Sequence, residues 1–276
     1  MSIKTEQKMK KKFKLGVIGA GFMASSIING VINAKTVKSS DIIVSDISEI
    51  SLNKVKALGV SVTLDSKQVC DSAEYVIIAV KPQSFADVGA AVVGTSCNKF
   101  ISIMAGTKKS KIKTLLGNVK VARCMPNTPC SIGYGAVAID LSDFTEQADK
   151  DFIKSIFTSI ANVVEVEESL INAVTGVSGS SPAYFYLFAK SVIDAGVKNG
   201  LDYETAKNLA VSTMIGAGQM ILNNPEKPID DLINAVCSKG GTTIEAVKVY
   251  KENDISSISG KAIDACINRA FELENL

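Results

Sequence analysis

Leu15-Gly16-Val17-Ile18-Gly19-Ala20-Gly21-Phe22-Met23-Ala24 decides how the first half of the chain is read. Four strand-forming residues run into a G-x-G-x-x-A turn, and a helical pattern follows from Phe22 to Asn33. The first glycine permits a tight turn, the second lets backbone approach a pyrophosphate, and the small Ala24 lets helix pack close to strand. The helix start then offers free N–H groups and the positive end of its dipole to phosphate. Alone, such a motif is weak. Between a strand and a helix near the start of the fold, it favours a dinucleotide site over a ligand-free glycine turn. Gly19, Gly21, Phe22, Met23 and Ala24 are therefore candidate cofactor contacts.

Outward from that turn the pattern alternates. Strand candidates are Ile42–Val44, Val60–Val62, Tyr75–Val80, Phe100–Met104, Val119–Arg123 and Ala136–Ile139, with helical stretches such as Ser51–Leu58, Ser84–Val93 and Lys109–Leu116 between most of them. This spacing predicts an α/β fold, a Rossmann-type doubly wound parallel sheet with helices on both faces. The strand candidates are apolar almost throughout, as strands buried on both faces should be. After Val166 only helical patterns appear: 168–175, 182–199, 203–222, 229–237, 242–250 and 258–274. The expected organisation is a basic tail over 1–13, a dinucleotide-binding domain over 14–166 and an all-helical domain over 167–276. Small residues in the helices (Ala195, Gly196, Gly216, Ala217, Gly218) suit either an intertwined dimer or ordinary close packing.

Composition narrows the chemistry. A net charge of +2 makes no electrostatic case for nucleic acid or membrane partners. There is no histidine, which removes imidazole acid–base chemistry and His metal sites. The six cysteines, at 70, 97, 124, 130, 237 and 266, form no Cys-x-x-Cys pair, so reduced thiols in a cytoplasmic protein are expected and no metal site. The lysine-rich start lacks the apolar stretch of a secretory signal. At the end of the second strand, Ser45-Asp46 stands where an acidic residue binds the ribose 2′-OH and repels a 2′-phosphate. Asp46 tilts the expectation from NADPH towards NADH, although Asp46 or Ser48 could also cap the next helix. The nearest cation is Lys54.

Further segments carry a resemblance. They are Ala79-Val80-Lys81-Pro82-Gln83, Ile103-Met104-Ala105-Gly106-Thr107, Arg123-Cys124-Met125-Pro126-Asn127-Thr128-Pro129, Gly179-Ser180-Ser181-Pro182-Ala183-Tyr184 and Cys237-Ser238-Lys239-Gly240-Gly241-Thr242-Thr243. Together they resemble the pyrroline-5-carboxylate reductases over nearly the whole chain after the tail. Ser181 stands where that family has glycine, and Lys239 where many members have proline. The resemblance implies cofactor contacts at Ala79, Val80, Lys81, Pro82, Met104 and Ala105, with Ser45 and Asp46. Ser66 stands where relatives often use asparagine, with shorter reach. The Arg123–Pro129 segment reads as mainly structural.

The resemblance also implies a substrate, 1-pyrroline-5-carboxylate, held at Gly240, Gly241, Thr242 and Thr243, with Thr243 as hydrogen-bond donor. The local chemistry agrees: a glycine turn feeding a helix N-terminus can hold a small carboxylate. Thr242 or Thr243 could instead act only as an N-cap. Glu168 matches an acidic residue of the family, placed either to face the cationic imine or to favour its own helix start. The implied reaction is hydride transfer from NADPH or NADH to the C=N carbon, giving L-proline. The implied assembly is a homodimer or a ring of dimers. Two alternatives stand beside it. One is a β-hydroxyacid dehydrogenase-like carbonyl reductase, which would need a catalytic lysine such as Lys190 or Lys198. The other is a non-catalytic dinucleotide-sensing protein.

Overall fold

The computed structural model describes residues 12–274. Eight strands form one sheet in the order β3-β2-β1-β4-β5-β6-β7-β8. They are β1 Phe13–Ile18, β2 Ile42–Ser45, β3 Ser61–Thr63, β4 Ala73–Ile78, β5 Lys99–Ser102, β6 Lys120–Pro126, β7 Gly135–Asp140 and β8 Ala161–Glu165. All pairings are parallel except β6 with β7. The expected doubly wound sheet is present. Its order reverses direction at β1, whose neighbours are β2 and β4.

Six helices accompany the sheet: α1 Phe22–Asn33, α2 Glu49–Lys56, α3 Ser66–Ser72, α4 Phe85–Val92, α5 Lys109–Leu116 and α6 Gln147–Thr158. The two faces carry separate cores. One gathers Leu15, Val17, Ile27, Val44, Ile77, Ile139 and Phe157, and the other Ile18, Val76, Phe85, Phe100, Ile112 and Val121. Alternate residues of one strand thus serve opposite cores, which explains the unbroken apolar runs. Each such side chain fully buried contributes about 1.5–3 kcal/mol.

The basic tail expected over 1–13 falls mostly outside the described residues. Phe13, however, is already in β1, buried and paired with Ala73. The stretch from α6 to β8 was not read from the sequence, although Phe152, Ile153, Ile156 and Phe157 carry a helical apolar spacing.

Two compact units emerge. The first comprises the described residues up to Ser180 together with those from Cys266 onward, and the second is Ser181–Ala265. These compact units part at 180/181, beyond the change of composition at 166/167. Residues 168–180, which include the short α7 Ile171–Val174 and a π-helical turn Thr175–Gly179, pack with the sheet. Ile171 joins Met125 and Ala138 in a small third core, and the Asn127 side-chain amide donates to Ser178 O at 3.1 Å. The second unit is wholly helical: α8 Ser181–Lys198, α9 Tyr203–Leu222, α10 Ile229–Val236, α11 Thr242–Glu252 and the first part of α12 Ile255–Glu274. Within it a groove of about 660 Å³ is lined by Phe185, Phe188, Val192, Leu209, Met214 and Ile221. Among the described residues no helix is long and apolar enough to cross a membrane. All six cysteines are free thiols, four of them buried.

Candidate active site

Sheet register sets the candidate cofactor site of the first unit. Ile18 pairs with Ser45 on one side and Ile78 on the other, and Ile78 pairs with Ser102. The loops that begin at Gly19, Asp46, Ala79 and Ile103 therefore leave the sheet at one level. That level is the carboxyl edge beside the point where strand order reverses, the place where open α/β sheets bind ligands.

The two glycines of the turn do different jobs. Gly19 has φ +101°, and a Cβ there would lie 2.7 Å from Ala79 O. Its N–H donates to Ser45 O at 2.7 Å, and Ala79 N–H donates to Ile18 O at 2.8 Å. Gly19 is thus required by the protein itself. Gly21 is extended (φ −69°, ψ −176°) and exposed, with no atom within 4 Å of where a Cβ would stand. Nothing in the fold needs its missing side chain, so the space is open to a ligand. The first helical bond of α1 runs from Ser25 N–H to Gly21 O at 2.9 Å. The N–H groups of Phe22, Met23 and Ala24 precede it, without intrahelical partners. No acidic residue occupies the first turn of α1, so its positive end is left for an anion. This cradle fits a pyrophosphate.

Other expected contacts are revised. Asp46 accepts from Ala20 N–H at 2.6 Å through one oxygen and from Ser48 N–H at 2.8 Å through the other. Its carboxylate braces the glycine turn against the end of β2, and the cap of α2 is Ser48, which accepts from Ser51 N–H. The lean towards NADH rested on Asp46 as a ribose ligand, and nothing supports it. The Ser45 hydroxyl is fully buried and shares a 3.0 Å hydrogen bond with the Ser66 hydroxyl. The side chains of Ser45 and Met104 are at most 2% exposed and support the loops from beneath, and the Ala24 methyl is buried as well, which leaves its backbone N–H as the group it can offer. Ala79, Val80 and Pro82 are half-buried and Lys81 exposed along the edge, where Pro82 opens a 3-10 turn. Ala105 is half-buried behind Gly106, whose φ is +58°.

Glu168 belongs to the first unit. One oxygen accepts from Lys109 N–H, the first of α5, at 2.7 Å and lies 3.4 Å from Arg123. That carboxylate favours the α5 N-terminus and neutralises a buried arginine. Arg123 also reaches Asn172 at 3.2 Å and Glu274 at 3.0 Å. Sequence reading quoted Arg123 without finding these partners, and it missed Glu274 altogether. They are separated by 151 positions, and no local pattern joins them.

In the second unit, Cys237 to Thr243 form a turn into α11. Gly241 N–H donates to Ser238 O at 2.9 Å, and Gly240 has φ +75°. This is a four-residue turn with positive φ at its third position, where glycine is favoured; its second position accepts proline or an ordinary residue, so Lys239 is at ease. The N-cap of α11 is Gly241, and Thr242 and Thr243 are its first two residues. Neither threonine is the cap. Thr243 is half-buried, Thr242 exposed, and both stand at the helix end that favours an anion. Lys190 and Lys198, the two candidates for a carbonyl reductase's lysine, are both exposed on α8, and Lys190 pairs with Asp194 one turn on.

Comparison with known proteins finds matches along most of the chain. The profile described as pyrroline-5-carboxylate reductase dimerisation matches residues 168–273. One described as NADP oxidoreductase coenzyme F420-dependent matches 14–106. A pyrroline-5-carboxylate reductase from Synechocystis is 36% identical over 262 residues, covering 94% of this chain and 98% of the relative. The solved structure of the Coxiella burnetii pyrroline-5-carboxylate reductase superposes with a TM-score of 0.85 at 32% identity, covering 95% of this chain and 99% of the other. The Plasmodium falciparum pyrroline carboxylate reductase, solved with NADP bound, gives a TM-score of 0.86 at 28% identity, covering 96% and 100%. The chain belongs to the pyrroline-5-carboxylate reductase family.

Proposed function

We infer that the two units divide the labour of one reaction. The chain is an NAD(P)H-dependent reductase that converts 1-pyrroline-5-carboxylate to L-proline. The reduced nicotinamide, when bound, supplies a hydride to the C=N carbon. Gly19 to Ala24 hold the pyrophosphate: Gly21 leaves room for it, and the N–H groups opening α1 face it. The observation that carries this assignment is the empty Cβ position at Gly21 beside an α1 N-terminus without an acid.

Substrate binding falls to Gly240, Gly241, Thr242 and Thr243. The α11 start holds the carboxylate, and the Thr243 hydroxyl donates a hydrogen bond to the carboxylate or accepts one from the protonated ring nitrogen. A protonated imine is already electrophilic and keeps its proton on nitrogen as the carbon is reduced. The protein therefore needs to orient and desolvate more than to shuttle protons. This suits a chain with no histidine. Glu168, engaged with Lys109 and Arg123, acts as a brace and not as a partner of the imine.

Asp46 serves both cofactors alike through the turn it braces, so acceptance of NADPH and NADH is the reading we favour. A second copy of the chain covers the apolar groove between α8 and α9; exposed apolar surface of this kind marks an association site. Larger rings remain compatible. Steady-state oxidation of each cofactor with the imine, beside light scattering for mass, tests both statements. Wild-type turnover by Thr243→Ala would overturn the threonine assignment, and a monomer at micromolar concentration would overturn the assembly.

A further inference from the structure

The loop from Met104 to Lys108 is gripped from several directions by residues outside the site described so far. It leaves β5 at the carboxyl edge, one strand beyond Ala79. Arg123 lies beside its base, since it pairs with Ser102 in the sheet. The arginine is 1% exposed and the Glu274 side chain 2%, and they meet at 3.0 Å. The second Glu274 oxygen lies 3.2 Å from Lys108 Nζ. Glu168 joins Arg123 to Lys109 N–H, where the loop becomes α5. Between these ties sits Gly106. A Cβ there would come within 2.7 Å of Leu273 Cβ and 3.2 Å of Ala270 O, so the last turns of α12 press directly on the loop backbone. Arg123 Nε has no hydrogen-bond partner among the described residues. A buried ion pair is by itself weak evidence for stability, because the cost of desolvating both charges offsets their attraction.

We propose that Glu274 and Arg123 are positioning residues for hydride transfer: through Glu168, Lys108 and the Gly106–Leu273 contact they fix the Ala105–Thr107 backbone, which leaves the sheet at the same carboxyl edge as the cofactor cradle, one strand beyond Ala79. The inference rests on the cofactor placement given above. It makes the end of α12 part of the reductase machinery through its contacts with the loop. Misplacement by about 1 Å can lower a rate about a hundredfold, so a loop that shifts by a fraction of that lowers turnover about tenfold. Cofactor affinity, set mainly at the Gly19–Ala24 cradle, changes little.

The test uses the full chain with Glu274→Gln, which keeps the shape and removes the charge. An Arg123→Met/Glu274→Met pair keeps the fold intact if the single variant, with its unbalanced arginine, is poorly folded. Hydrogen exchange of the peptide covering 103–109 is measured without ligand, NADPH affinity by fluorescence, and kcat per cofactor-binding site with ordinary and C4-deuterated NADPH. The expected result is faster exchange in that peptide, a Kd for NADPH within threefold of the parent, kcat about tenfold lower, and a larger deuterium isotope effect. A merely structural role lowers Tm and the fraction of binding-competent protein and leaves kcat per site and the isotope effect unchanged. That pattern in both variants overturns the proposal. A parent chain that turns over the imine while the variants match it defeats only this inference. A parent that binds NADPH without reducing the imine defeats the functional reading, and the inference with it.

Discussion

Replacing Gly21 by alanine should separate cofactor binding from folding. The position is extended, so an L-residue fits without backbone strain, and no protein atom stands within 4 Å of the new methyl. Gly→Ala at a compatible position stabilises by about 0.4–1 kcal/mol by restricting the unfolded chain. Alanine is a poorer N-cap than glycine by a comparable amount, roughly 0.5–1 kcal/mol. The two effects oppose each other, so net stability should move by less than about 0.5 kcal/mol, which is about 2 °C or less in Tm for a chain of this size. Binding should respond quite differently, because the methyl stands where the pyrophosphate approaches. Loss of one or two N–H contacts to a charged phosphate, at about 1.5–3 kcal/mol each, corresponds to a Kd for NADPH at least tenfold higher. Thermal melting of the ligand-free protein and fluorescence titration with NADPH read the two quantities separately. Parent-like affinity in Gly21→Ala would refute the placement of the pyrophosphate. A Tm drop of many degrees would refute the claim that the protein itself leaves that space empty.

Gly19→Ala should fail on both counts, losing stability and affinity together, because its Cβ would meet Ala79 O with φ at +101°. Thr243→Ala should lower kcat/KM for the imine by about tenfold, the worth of one hydrogen bond of about 1.4 kcal/mol, while NADPH affinity stays unchanged and Thr243→Ser recovers most of the loss. Asp46→Ala should weaken NADH and NADPH alike by loosening the Ala20 turn; improved NADPH binding with loss of NADH alone would restore Asp46 as the discriminating residue. Asp149 makes a pH prediction. Burial pushes its carboxyl up, but hydrogen bonds from Lys99 and Tyr75 outweigh that and hold it below the usual carboxylate range. A depressed folded value stabilises above the unfolded pKa of about 3.9 and is lost as pH falls through the folded one. Asp149→Asn should therefore melt lower than the parent at pH 7, with the gap closing below pH 4; a gap that is constant from pH 7 to 3 would contradict this.

Local signals carried much of the architecture. The glycine turn was legible because a tight turn and a helix start impose their requirements on six adjacent residues. The turn at Ser238–Gly241 was legible for the same reason. Roles that depend on distant partners were not. Asp46 follows a strand end as a ribose ligand would, yet its geometry is settled by Ala20, 26 positions earlier. Ser45 and Ser66 look like two separate hydroxyl contacts, and they bond to each other. Glu168 reads as a helix-start acid of its own segment and instead serves the start of α5, 59 positions away. Glu274, near the end of the chain, carries no pattern at all; only the fold buries it beside Arg123. Composition changes at 166/167 before packing does: residues 168–180 are helical, yet Ile171 joins the core of the sheet with Met125 and Ala138.

The most direct test of the account is oxidation of NADPH and NADH by the purified chain with 1-pyrroline-5-carboxylate, product identity checked as L-proline, beside hydroxyacid and ketoacid controls. The account predicts cofactor oxidation with the imine alone, stoichiometric with L-proline. Cofactor binding with no oxidation in the presence of the imine, or turnover confined to the carbonyl controls, would contradict it.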